Sequence, residues 1–303
     1  MGYNTGSINS STPAVALMTA LDTEFTGNGW TFVETYTSST NVTNIYKSPA
    51  ASNSFGTDFY VGVNRTSNTS TVAFMLGELY NSSTHLFRKY AKNSNTIPDT
   101  DYSIVDATGI LPTAMTRFAA ISVNTSTLFT WWSNVTVDRA MFTSSASTTG
   151  GGYVGLFDTL LPSDPFPIAV LNWTGSVTVG TTLGAVTREP LQTLSYANNW
   201  SAQVGGISTG ASGAMIPYGV GDGTTNGDGF YSWIYSTSGR AAQRVSFYSS
   251  RSLTGGLRGL LKDVVFATTG SAMGDQLSYV IGSTTYNYVR AGSVVNSIWM
   301  PAF

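Results

Sequence analysis

TPAVALMTALDTEFTGNGWTFVETYTSSTNVTNIYK, residues 12–47, changes its hydrophobic period halfway along, and that change decides the fold class. In the first half, Thr12-Pro13 offers an N-cap followed by proline at the first helical position, where its missing N–H is one that no helix uses. Ala14, Leu17, Met18, Leu21 and Phe25 then recur three or four residues apart, so a helix puts them on one stripe. Gly27-Asn28-Gly29 ends it, because glycine accepts the left-handed backbone that closes a helix. In the second half Trp30, Phe32 and Tyr36 alternate with Thr31, Val33 and Thr35, and Val42 to Lys47 alternates next, the period of a pleated strand.

Downstream of this stretch, Phe59, Val61 and Val63 alternate again, and Val72 to Leu76 is a continuous apolar run. One helix and four strands predict a small α+β unit. Upstream, residues 1–12 are polar, glycine-bearing and without pattern, which predicts an N-terminal arm. Asn, Ser, Pro and Asp cluster over residues 81–112 in the manner of loops, so the first domain is expected to end near 112. Beyond it the chain reads as almost wholly β. Thr127 to Trp132 and Val135 to Phe142 flank Ser133-Asn134 as a hairpin, and Phe166 to Trp173 and Arg244 to Tyr248 are further strands. Leu277, Tyr279 and Ile281 alternate up to Gly282-Ser283, a pair suited to a type II′ turn, before Thr285, Asn287 and Val289 return the chain. Gly150-Gly151-Gly152, Gly205-Gly206 and Gly219 to Gly229 read as loops. The expected organisation is an arm at 1–12, an α+β domain at 13–112 and a larger β-rich, sandwich-like domain at 113–303, a fold between α+β and mainly β.

Composition narrows the function. The 303 residues include no Cys and one His, His85, beside 81 Ser plus Thr and 38 aromatics. Most side chains used for metal binding and imidazole chemistry are therefore missing, while those that suit half-buried strands abound. Charged residues are 10% of the chain, against about 25% in a typical soluble protein, and the net charge is −2. So little charge does not keep a surface apart from its neighbours, and burial of that surface against other subunits explains it. Fourteen thinly scattered Lys and Arg disfavour nucleic-acid binding. No run of 18 apolar residues predicts a membrane span, and Met1-Gly2-Tyr3-Asn4-Thr5-Gly6 lacks the basic and apolar regions of a signal peptide.

The local constellations are weak. His85 stands between Thr84 and Leu86 with no motif around it, and no Gly-x-Ser-x-Gly elbow supports a serine nucleophile. A carboxylate pair of the glycosidase kind could use Glu24, Glu34, Glu78, Glu189 or an aspartate, but spacing nominates none. Asp222-Gly223-Thr224-Thr225-Asn226-Gly227-Asp228-Gly229 resembles a calcium loop until its twelfth position, where a bidentate glutamate is needed and Trp233 stands. A plain Gly/Asp turn accounts for it better, although the 219–230 loop keeps the chemistry for an incidental ion. Trp30, Trp131, Trp132, Trp173, Trp200, Trp233 and Trp299 fit strand core or interface anchors, with sugar stacking as the rival. No catalytic, cofactor-binding or metal-ligating residue is assigned, and no cofactor is expected.

Three stretches, in order along the chain, carry a resemblance to known sequences. The first is Tyr3-Asn4-Thr5-Gly6, a helix, Gly29-Trp30-Thr31-Phe32-Val33 and a strand carrying Ile45-Tyr46-Lys47-Ser48. The second is Gly151-Gly152-Tyr153-Val154-Gly155-Leu156-Phe157, after the strands that contain Trp131 and Trp132. The third runs from Leu257-Arg258-Gly259-Leu260-Leu261-Lys262 through Gly274-Asp275-Gln276-Leu277 to Ile298-Trp299-Met300-Pro301. Residues 160–250 carry no part of the resemblance. Together the three stretches resemble a family of tailed-bacteriophage virion proteins, and what the resemblance implies is a non-enzymatic structural component of the tail, baseplate or neck, located in the virion and assembled in the host cytoplasm. Its partners would be copies of itself and other virion proteins. A receptor- or host-glycan-binding surface protein and a capsid decoration protein are the alternatives.

Overall fold

A computed structural model describes residues 2–49, 59–90, 109–115, 118–123, 128–146, 151–159, 168–172, 183–188, 200–205, 215–216, 233–235, 241–248, 257–268, 274–281, 283–291 and 296–302. Strand β1 (Tyr3–Ile8) leads into helix α1 (Pro13–Gly27). The expected stripe is buried, with Ala14, Leu17, Met18, Leu21 and Phe25 all inside. Thr12 caps with its backbone only: its carbonyl accepts from the Val15 and Ala16 amides, and its side chain caps nothing. The other end closes as expected. Gly29 takes φ +85°, its N–H bonds to Thr26 O and the Trp30 N–H reaches back to Phe25 O, which satisfies two of the last carbonyls.

The first sheet runs in meander order: β2 (Thr31–Ser38), β3 (Asn41–Lys47), β4 (Tyr60–Arg65), β5 (Thr71–Asn81) and β6 (Leu86–Tyr90), with β7 (Phe118–Ser122) also paired to β5. Residues 86–90 were expected to be loop. They are a strand, because Phe87 is buried against Ile45, Met75 and Met115, a tertiary contact that the polar residues around it hide.

The central sheet is built from β1 together with β8 (Phe129–Thr136), β9 (Arg139–Ser144), β10 (Gly151–Leu156), β12 (Ile168–Asn172), β13 (Leu183–Arg188) and β14 (Trp200–Gly205), while β11 (Asp158–Thr159) belongs to a third sheet. That third sheet also holds β15 (Met215–Ile216), β16 (Trp233–Tyr235), β17 (Ala241–Tyr248), β18 (Leu257–Thr268), β19 (Gln276–Ile281), β20 (Thr284–Arg290) and β21 (Asn296–Pro301). Every named pairing is antiparallel, and the fold is mainly β and sandwich-like.

Two buried clusters bind the layers. Phe129, Trp131, Val135, Phe142, Val154 and Leu156 of the central sheet join α1 and the inner face of the first sheet, where the Phe74 and Phe142 rings meet at 3.7 Å. Met141 and Tyr153 point the other way and join Leu261, Val264, Val289 and Met300 of the third sheet. The middle of the central sheet is thus covered on both faces, which is why β9 and β10 are buried at every residue, Arg139, Thr143 and Ser144 included.

Four expectations change here. The arm at 1–12 contains β1, in register with β8 from Tyr3 opposite Asn134 to Ile8 opposite Phe129, so neighbouring backbone supplies the order that its own sequence lacks. The division near 112 is crossed by the first cluster, which runs from Ile8 to Ile168, and by β7. Ser133-Asn134 is not a turn. β8 continues through it, because Ser133 and Asn134 are buried and Asn134 Nδ2 donates to Pro301 O at 3.1 Å; the turn falls at Val137-Asp138. Gly151 and Gly152, expected in a loop, open β10. The C-terminal hairpin stands where its alternation put it, with Ile281 opposite Thr284. Gly282 itself, and so the turn type, lies outside the described residues.

Candidate functional site

Charge concentrates where the chain steps from the central sheet to the third. The β8–β9 turn supplies Asp138, β9 opens with Arg139, and β18 brings Lys262 and Asp263. Residues 261–264 of β18 stand opposite a single residue of β17, and within this bulge Asp263 takes φ +58°. The bulge aims both side chains at the turn. Lys262 Nζ donates to Asp138 Oδ2 at 2.5 Å, Arg139 Nη2 to Asp263 Oδ2 at 2.5 Å, Arg139 Nη1 to Asp138 Oδ1 at 3.3 Å and Thr136 Oγ1 to Asp138 Oδ1 at 2.7 Å. Asp158, the first residue of β11, lies 3.9 Å from Lys262.

Burial pushes the Asp138 carboxyl up, but the hydrogen bonds from Lys262 and Thr136 and the charges of Lys262 and Arg139 outweigh it and hold it below the ordinary carboxylate range. Such a group is an ionised anchor and a poor proton donor. Tyr153, wholly buried beside it, donates to Leu156 O, and burial raises its hydroxyl well above the usual phenol range. Gly155 has φ +141°, and a Cβ there would meet Asp138 O at 2.4 Å, so only glycine lets β10 approach the turn this closely. This node ties layers together. Its signal in the sequence was slight, since Asp138, Asp158 and Lys262 are separated by up to 124 positions.

The other residues singled out scatter. Glu24 accepts from Asn4 Nδ2 at 2.6 Å and fastens β1 to the helix. Glu34 accepts from Tyr80 and faces His85 Nδ1 at 3.0 Å. Glu78 is buried, and Glu189 lies outside the described residues. Trp30, Trp131 and Trp299 are buried, and Trp30 Nε1 donates to Thr136 O at 2.7 Å. Trp132 is partly buried against the second cluster. Trp200 and Trp233 open β14 and β16, and Trp173 and the 219–230 loop lie outside the described residues.

The surfaces suited to association are the sheet edges. No described strand pairs with the outer side of β1, β14, β2 or β19. Their sequences, YNTGSI, WSAQVG, TFVETYTS and QLSYVI, contain one charged residue, Glu34, and no proline. Lysine, proline and inward charge are the usual guards of an edge, and these edges lack them. Apolar side chains stand exposed along them, with Phe32 on β2 at 44% and Val280 on β19 at 49%. No helix among the described residues is long and apolar enough to cross a membrane. Neither a protein-family model nor a curated protein matches the chain.

Proposed function

We propose that this chain is a structural component of a tailed-bacteriophage virion, in the tail, baseplate or neck, and that it acts by associating with copies of itself and with other virion proteins. The observation that carries this reading is the set of nearly uncharged sheet edges, which offer rows of backbone donors and acceptors to another chain. Low overall charge and the exposed Phe32, Leu79, Leu128 and Val280 support it, as does the ordered resemblance of three stretches to that virion family. The layered core suits such a part. A sheet whose middle strands, β9 and β10, are covered on both faces makes a stiff support, and a stiff element loses little entropy on docking.

The experiment is to tag one copy genetically and locate it by electron microscopy on purified particles, with the free protein run by sedimentation velocity. Tag density at the tail, baseplate or neck, and sedimentation as an oligomer, are the expected results. Particles free of the tag, together with a purified protein that stays a single subunit at high concentration, would sink the proposal.

A further inference from the structure

At the rim of the first sheet, β2 and β5 meet the turn that leads into β6, and four chemistry-bearing side chains converge: Glu34, Tyr36, Tyr80 and His85. Tyr80 donates its hydroxyl hydrogen to Glu34 Oε1 at 2.5 Å, and His85 Nδ1 stands 3.0 Å from that same oxygen. Burial raises the Tyr80 hydroxyl, and the bond to Glu34 raises it further, so it remains a protonated donor. The His85 ring lies 5.1 Å from the Tyr36 ring with planes tilted by 39°, and the Tyr80 ring lies 6.1 Å from Tyr60 with a tilt of 45°. All of these side chains are partly open to solvent, His85 to 43%.

The backbone beneath adds a second observation. His85 has φ +56°, a conformation that glycine or asparagine adopts at lower cost. Asn81 already builds the turn by accepting from the amides of Ser83 and Thr84 at 2.9 and 3.2 Å, so closing the hairpin does not call for an imidazole. What the imidazole adds is its ring, set beside Tyr36, and a second nitrogen, Nε2, that has no hydrogen-bond partner among the described residues.

We propose that Glu34, Tyr36, Tyr80 and His85 form a binding subsite for one neutral hexopyranose ring. A pyranose presents a face of C–H groups and a rim of hydroxyls. The His85 ring, open to solvent and flanked by Tyr36, offers a flat face for the first, while Tyr36 and Tyr80 are seated on the cluster around Phe87 beneath it; the Glu34 carboxylate, fixed by two neighbours, accepts from the second through charge-assisted bonds. His85 Nε2 supplies one more polar contact. The carboxylate repels an anionic ligand. The rings here meet in pairs, Tyr36 with His85 and Tyr60 with Tyr80, whereas an ammonium ligand calls for rings that surround it. Glu34, Tyr36 and Tyr80 stand on paired strands, so little freedom is lost on binding. This assignment stands apart from the virion reading and does not rest on it.

His85 is the only histidine in the chain, so its imidazole C–H resonances report on this site alone. The full chain is titrated with the methyl glycosides of glucose, galactose, mannose and N-acetylglucosamine, and separately with tetramethylammonium. Saturable movement of the His85 signals by a glycoside in the millimolar range is expected, weakened about tenfold in Glu34→Gln by loss of a charge-assisted bond. Tyr36→Ala is expected to weaken it as well. Should a variant fail to fold, the wild-type titration still decides. Signals that stay still with every glycoside up to about 50 mM, well above the Kd expected of a monosaccharide-sized ligand, would overturn the assignment. So would movement with tetramethylammonium alone, or glycoside binding that both variants leave unchanged. None of these results touches the particle-location test above.

Discussion

Asp138 shows how a single side chain holds two layers. Its carboxylate takes three donors, two of them cationic, in a site where it is mostly buried. Asp138→Asn is expected to destabilise the fold by about 2–3 kcal/mol, because Lys262 and Arg139 lose a partner while still partly desolvated. Urea unfolding of the variant measures this. The folded carboxyl is depressed, so its contribution is fully present above the unfolded value near 3.9 and is lost as pH falls through the lower folded value. Stability should therefore drop on acidification below about pH 4, and the drop should be shallower in Asp138→Asn. Gly155→Ala is the sharper change. Its φ and the 2.4 Å approach to Asp138 O leave no room for a methyl group, and a loss above about 3 kcal/mol, or no soluble protein, is expected in the same assay. No motif in the sequence marked Asp138, and Gly155 stood out only as one glycine of the stretch from Gly151 to Phe157. Arg139 and Asp263 stand 124 positions apart, and only the bulge in β18 brings them to 2.5 Å.

Local pattern decided some elements and neighbours decided others. Helix α1 was legible because its stripe, its proline and its closing glycine all act within a turn or two of each residue. The terminal hairpin was legible for the same reason, since alternation and a two-residue turn fix register without distant help. Strand β1 was not, as Asn4, Thr5, Gly6 and Ser7 form a strand only because the backbone of β8 is there to pair with them. Deletion of residues 2–12 should thus lower the melting temperature by several degrees and expose the edge of β8, with aggregation on heating seen by light scattering. An unchanged melting curve would show that β1 contributes nothing to the isolated chain. Ser133 and Asn134 mislead for the matching reason: they carry turn chemistry, yet lie buried between layers where Asn134 bonds to β21.

For the whole molecule, the stacking of three sheets sets which surfaces remain for other work. Strands β9 and β10 at the middle of the central sheet have both faces covered, so the proposed association falls to the edges. Gln276→Lys with Val280→Lys places two charges on exposed positions of β19 and leaves the buried Leu277 and Tyr279 untouched. If this edge associates, the double variant should sediment as a smaller species while its urea midpoint changes by no more than about 0.5 kcal/mol in equivalent stability. An unaltered sedimentation pattern would move the contact to β1, β14 or β2. The candidate site was half legible: the shortage of charge is a property of composition, whereas Glu34 and Tyr36 on β2 meet Tyr80 and His85 only because the first sheet brings β2 within reach of β5, three strand pairings away. By itself the sequence determined the helix, the strands of strict alternation, the last hairpin and the poverty of charge, because these depend on neighbours within a few residues and on residue counts. Tertiary structure alone decided the place of β1, the two-sided burial of β9 and β10, the union of residues 13–112 with the strands of the central sheet, and the Asp138 node. Each of those depends on contacts between segments far apart in the chain, where local period carries no information.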